Sequence, residues 1–220
     1  DTLSRTLQLS EGEFSLVLVR CNYISLRKTI VKQLHKKSAL PIREIHLSAS
    51  IDNLYRTLET ELSEEHPAVV MVFGLERVET LDEVLAATNL AREAFLNFPF
   101  PVLLWINDQL WKKLNRRAPD FTGYATTYVF QQSSSELIHF LSSKSQQLFT
   151  TILELGGCSF VSNSKILGEH CASELQLAYQ DLTNRNITLT PALTASLRFV
   201  LARHHYAHQN ISEALEQYNL

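Results

Sequence analysis

Glycine is scarce in this 220-residue chain: there are six, and none falls within residues 14–34, where an apolar strand-like run turns into a helical one. A backbone that wraps N–H groups around a phosphate needs glycine there, for angles with φ > 0 and for close approach without a Cβ. Its absence excludes an ordinary glycine-built phosphate loop. Cysteine is scarce too. The three present, Cys21, Cys158 and Cys171, form neither a dense disulfide framework nor a C-x-x-C pair, which suits a reducing cytoplasm and leaves zinc at Cys158, His170 and Cys171 unsupported. No sign of charge dominates. A net charge of −3 and a pI near 6.3 give no basic field, so nucleic acid and anionic membranes are not expected partners. No run approaches the roughly 20 apolar residues that a membrane span needs. No signal-peptide pattern opens the chain, and its start at Asp1 is expected of a piece of a longer protein. With 45% hydrophobic and 20% charged residues, the chain can bury the core of one domain and carry an appendage.

What is present is an alternation. Short apolar runs at 14–20, 42–47, 68–73, 102–106 and 127–130 are separated by helical periodicity at 25–37, 51–64, 81–97 and 109–115. The runs are continuously apolar rather than alternating, which predicts an α/β fold with a five-stranded, mostly parallel sheet covered on both faces. Pro99 and Pro101 end the third helix, since neither continues it and each drives its predecessor extended. From Ser133 the character changes. Ser133 and Glu136 read as the start of an amphipathic helix to about Leu155 that Gly156 and Gly157 stop. Residues 158–163 read as linker, and helices follow at 164–184, 191–208 and 211–219. The predicted boundary is therefore near Gly156, with an α/β domain over 1–156 and a helical region over 157–220.

The turn after the first strand has the position and length of a P-loop, G-x-x-x-x-G-K-[ST]. Cys21 and Leu26 stand at the glycine positions, Arg27 at the lysine and Lys28 at the hydroxyl. The strand at 68–73 falls where a Walker B strand would be, and 102–106 where a sensor strand would be. On these positions, and on the wording of Gly74-Leu-Glu76, Phe98-Pro-Phe-Pro101 and Arg117-Ala-Pro-Asp-Phe121, the chain resembles a degenerate P-loop NTPase domain of the AAA/STAND kind. Such domains precede tetratricopeptide repeats in large bacterial, notably cyanobacterial, proteins. The resemblance implies that the first strand lies beside the fourth. The departures remove the chemistry: a Walker B strand ends in an acid that holds Mg²⁺, whereas this one ends at Phe73-Gly74, with Glu76 displaced by two. No nucleotide or other cofactor is expected at Cys21, Leu26, Arg27, Lys28, Gly74, Glu76 or Asn107. Arg27 reads as a solvated helix residue, and Asn107 and Asp108 as caps of the following helix.

The C-terminal segment resembles the start of a tetratricopeptide unit. Leu201 and Ala202 match the tight-packing pair of its first helix, and Ala214 and Tyr218 the small and aromatic positions of its second. A unit of this kind implies neighbours that bury its open face. Other signals favour plain structure. His204, His205 and His208 lack a reinforcing acid or cysteine, so no metal is expected there. Ser133–Ser135 is a cap cluster rather than a nucleophile, Trp105 and Trp111 suit packing, and Lys112, Lys113, Arg116 and Arg117 suit a solvated basic face.

These readings lead to a non-enzymatic interaction or scaffold module that binds other proteins, through a pseudo-NTPase domain and helical repeats. The competing expectation is a nucleotide-dependent switch or weak ATPase that uses Arg27, Glu76 and Asn107 in unusual roles. A receiver-like or flavodoxin-like sheet also accommodates five βα steps, although no acid pair ends the first strand.

Overall fold

The computed structural model describes residues 2–38, 40–63, 65, 67–156, 160–168 and 171–219, so Gly157, Cys158 and His170 lie outside the described residues. Two compact units divide the chain, Asp1–Gln131 and Gln132–Leu220.

In the first unit the order is α1 (Thr2–Leu9), β1 (Ser15–Cys21), α2 (Ile24–Lys37), β2 (Ile42–His46), α3 (Leu54–Glu61), β3 (Val69–Phe73), α4 (Leu81–Leu90), β4 (Pro101–Ile106), α5 (Asp108–Arg117), α6 (Pro119–Gly123) and β5 (Ala125–Phe130). The five strands form one sheet in the order β2-β3-β4-β1-β5, every pair parallel. The expected α/β class therefore holds, and β1 lies beside β4 as the resemblance implied. The flavodoxin-like order 2-1-3-4-5 is excluded. Both faces are covered, which is why β3 and β4 are buried along their whole length. On one face α1 and α2 pack Leu3, Leu7, Ile30 and Leu34 onto Val19, Met71, Leu103 and Trp105. On the other, Leu54, Leu58, Leu85, Leu110, Leu114 and Phe121 pack onto Leu16, Leu18, Val70, Val72 and Leu104.

Several boundaries differ from expectation for local reasons. Helix α3 starts at Leu54, because the Asn53 side chain accepts from the Arg56 N–H at 3.0 Å and caps it there. Helix α4 ends at Leu90, and a tight turn at Ala94–Asn97 completes the stretch that the spacing predicts as one helix. Neither α1 nor α6 was expected.

The second unit holds α7 (Ser134–Glu154), α8 (Asn163–Leu167), α9 (Cys171–Asn184), α10 (Pro191–Ala207) and α11 (Ile211–Asn219). The capping box is present: the Ser133 hydroxyl accepts from the Glu136 N–H while the Glu136 carboxylate accepts from the Ser133 N–H at 2.7 Å. Helix α7 belongs with this unit, not with the sheet as the boundary at Gly156 had it. Its apolar face, Leu137, Leu141 and Leu148, is buried and meets α9 and α10. The helix expected at 164–184 is broken by Gly168, whose φ of +96° is natural only for glycine. Asn163, expected in a linker, begins α8 and donates to the Val200 carbonyl at 2.6 Å. Among the described residues no helix is long and apolar enough to cross a membrane.

Candidate functional site at the carboxyl edge of the sheet

Helix α2 follows β1 on one face and α5 follows β4 on the other, so the connections leave these two adjacent parallel strands on opposite sides of the sheet. The crevice outside their carboxyl ends is where open α/β sheets bind ligands. Here the connection is short. Cys21 still pairs in the ladder, opposite Phe130, and α2 has begun by Ile24, which leaves Asn22 and Tyr23 as the whole linker. Tyr23 is buried and its carbonyl accepts from the Arg27 N–H at 2.9 Å. The residues assigned to the second glycine, the lysine and the hydroxyl of a phosphate loop therefore lie inside a helix. Leu26 packs on the core, and Lys28 is exposed.

Side chains of the protein bond to one another at the crevice. From β4, Asn107 caps α5 by accepting from the Leu110 N–H at 2.8 Å, as expected. Asp108 and Asn22 bridge β4 to β1 in both directions: the Asp108 N–H donates to Asn22 Oδ1 at 2.9 Å, and Asn22 Nδ2 donates to Asp108 Oδ2 at 3.0 Å. Arg20 closes the other side, donating to Asp108 Oδ1 through Nη2 at 2.8 Å and Nε at 3.2 Å, with its guanidinium 5.0 Å from the Trp111 ring centre. Burial pushes the Asp108 carboxyl up, but the hydrogen bonds from Asn22 and Arg20, with the Arg20 charge, outweigh it and hold the group below its ordinary value.

Arg27 is not the solvated residue expected of an arginine that has no phosphate loop to complete. It is 9% exposed, because it shares the sheet-facing side of α2 with the buried Ile30 and Leu34, three and seven positions on. Its Nη1 donates to Glu76 Oε1 at 3.0 Å and its Nη2 to the Cys21 carbonyl at 3.3 Å, and the guanidinium lies 6.0 Å from the Trp105 ring centre. Trp105 in turn stacks on Phe73, and Phe73 on His46, with ring centres 5.8 and 4.9 Å apart. Glu76 reaches Arg27 because of Gly74, which has φ +90° and would bring a Cβ within 3.2 Å of the Leu47 carbonyl oxygen. That turn is open to glycine and strained for any side chain, so no acid stands directly after β3 and Glu76 follows within the next turn.

The remaining candidates are placed as follows. Arg117 and Lys113 meet Asp82 at 2.9 and 3.7 Å, so the basic face is partly neutralised rather than simply solvated. The hydrogen bond from Arg117 holds Asp82 below its ordinary value, against the opposing effect of burial. His204 and His208 have ring centres 4.3 Å apart, and burial, then the neighbouring His208 and His205, push His204 down. Among the described residues no group of three or more His, Cys, Asp or Glu is positioned to hold a metal ion. In the helical unit Ala202, Ala214 and Leu201 are buried and α10 packs against α11. Tyr218, expected to fill that contact, is 51% exposed and reaches Phe199 only edge-on, at 6.2 Å between ring centres. Sequence reasoning missed Arg20 and Asn22. Both sit at the end of an apolar strand run, and an arginine and an asparagine at that point are the signal that was available.

No protein-family model matches the chain, and no curated protein matches it. Among solved structures, a chain from the structure of Drosophila ORC bound to GC-rich DNA and Cdc6 is similar at 12% identity, covering 92% of this chain and 81% of that one with a TM-score of 0.38. A similarity that loose does not define a shared fold.

Proposed function

We propose that this chain is a non-enzymatic protein-interaction module: a pseudo-NTPase domain whose ligand crevice is occupied by its own ion pairs, followed by the start of a tetratricopeptide-like helical array that binds other proteins. The observation that carries this reading is the Arg27–Glu76 pair. Arg27 stands where a phosphate-binding lysine would, and Glu76 is the acid nearest to where a magnesium ligand would stand. Each neutralises the other at 3.0 Å. A phosphate would have to displace Glu76 and desolvate against it, while the two-residue turn offers no ring of backbone N–H groups in return. The Arg20–Asp108–Asn22 bridge supports the same conclusion at the neighbouring strand end. The alternative, a switch using Arg27, Glu76 and Asn107, asks all three to leave partners they already hold.

The test is calorimetric titration of the chain with Mg–ATP and Mg–GTP. The expected result is no binding heat. Micromolar affinity that disappears in Arg27→Ala would overturn the inert crevice and establish the switch.

A further inference from the structure

Helix α2 carries half of the chain's lysines and no acid. Lys28, Lys32 and Lys36 follow one another at intervals of four and are exposed, on the side of the helix away from the buried Arg27, Ile30 and Leu34. They form one ridge about 12 Å long, with its charges spaced roughly 6 Å along the axis. Among the described residues none of the three has an ion pair or a hydrogen bond. Elsewhere on the same unit bases and acids are matched. Arg117 and Lys113 hold Asp82, Arg43 holds Glu65 at 3.0 Å, and His35, beside the ridge, holds Glu44 at 2.6 Å. The ridge is unfavourable to its own helix. Like charges four apart repel, and Lys32 has such a neighbour on each side. No acid in the first turn and no capping side chain offsets them at the amino end. Acids are not scarce in a chain of net charge −3, yet none is interleaved here. A locally unfavourable pattern with no compensating contact inside the fold marks a surface kept for something outside it.

We propose that this ridge binds an extended acidic segment of a partner protein, with Asp or Glu on alternate residues. The proposal deepens the interaction-module reading by adding a surface on the α/β unit, and rests on it. In an extended chain alternate side chains share one side and recur about every 6.6–6.8 Å, close to the step between the lysines. The apolar side of α2 is spent on the sheet, and the exposed side offers Thr29 and Gln33 beside the lysines. A helical partner finds no apolar stripe to cover there, and a membrane no apolar side chain to receive. An extended segment needs only the charges, with the Gln33 amide as a donor to its carbonyls. Nucleic acid fits less well. A chain of net charge −3 repels a long polyanion as a whole, and the ridge presents neither an arginine fork nor an aromatic face to bases. A segment with three or four carboxylates meets the three ammonium groups and little of the remaining field.

A fluorescein-labelled peptide of eight residues, Ser and Glu in alternation, is titrated with the full chain at about 20 mM salt and followed by fluorescence polarisation. It should bind, and its Ser-Gln counterpart should not. Raising the salt to about 150 mM should weaken binding severalfold, because exposed pairs are screened. Lys28→Gln/Lys32→Gln/Lys36→Gln should weaken it about tenfold, each of three exposed pairs contributing roughly a factor of two. Lys112→Gln/Arg116→Gln/Lys165→Gln removes the same charge away from α2 and should leave binding within about twofold. Circular dichroism checks that both variants keep their helices. Lys32→Gln alone, an exchange of nearly equal helix propensity, should raise the melting temperature at low salt, since it removes two repulsions. Failure of the peptide to bind, equal binding by the two triple variants, tighter capture of a twelve-nucleotide oligothymidylate than of the peptide, or a melting temperature that Lys32→Gln does not raise would each overturn the proposal. A silent Mg–ATP titration with no peptide binding removes the ridge alone. Nucleotide binding with peptide binding intact removes the inert crevice alone.

Discussion

If Arg27 and Glu76 are a single compensated pair, removing one should cost far more than removing both. The side chains are 10% and 24% exposed and 3.0 Å apart. Glu76→Leu leaves the Arg27 charge buried with the Cys21 carbonyl as its remaining acceptor. Breaking a buried pair costs about 3–5 kcal/mol, and the partial exposure of Glu76 brings the expected loss to about 2–3 kcal/mol. Arg27→Met costs less, about 1–2 kcal/mol, because the Glu76 side chain is 24% exposed and can swing its carboxylate out toward water. The double variant Arg27→Met/Glu76→Leu buries two apolar groups of similar volume and should fall within about 1 kcal/mol of the wild type. The coupling between the sites is then about 2 kcal/mol or more. Urea denaturation followed by tryptophan fluorescence measures it cleanly, since the chain has two tryptophans, Trp105 and Trp111, and both lie in the first unit. Losses that add to within about 0.3–0.5 kcal/mol would mean the two residues are independent, and the account of the sealed crevice would fail with them.

Three further outcomes are expected. Ala214→Leu should overpack the contact between α10 and α11, where Ala214 and Ala202 are both buried, at about 1–3 kcal/mol; a thermal melt by circular dichroism that does not move would remove the close-packed pair. Asp108 has a folded-state pKa below its ordinary 3.8, so its stabilising contribution is complete above that value and is lost as pH falls through the lower folded one. Asp108→Asn should lack that share of the acid sensitivity, and identical acid titrations of fluorescence for the two proteins would contradict it. Burial pushes the Cys171 thiol up to about 11, with Lys144 opposing and Glu174 adding to the shift, so iodoacetamide at neutral pH should alkylate Cys171 only after unfolding. Peptide mapping that finds Cys171 modified quickly in the native chain would refute this.

The sheet was legible because a strand covered on both faces has to be apolar along its length. Residues 69–73 and 101–106 have no polar face to disguise them, and all five strands fall within two residues of the runs seen in the sequence. Helix α1 escaped notice because it is short, lacks an acid in its first turn and buries only Leu3 and Leu7. Helix α7 was recognised but given to the wrong unit, since an apolar stripe says that a helix is buried and not against what.

The crevice was legible only as a set of losses. Set against a phosphate loop, Cys21, Arg27 and Gly74 are three separate mismatches when read along the chain. In space they depend on one another. Its place on the buried face of α2, with Ile30 and Leu34, points Arg27 inward, where an unpaired guanidinium would be costly. The left-handed turn at Gly74, which no acid could occupy without strain, carries Glu76 to the place that relieves that cost. Arg27 and Glu76 lie 49 positions apart in the chain on elements that are not neighbours in sequence, so no local pattern announces them. What joins them is the strand order, which sets the ends of β1, β4 and β3 side by side. The three residues act together, because a buried arginine is costly at that place without its acid, and the glycine turn is what delivers the acid.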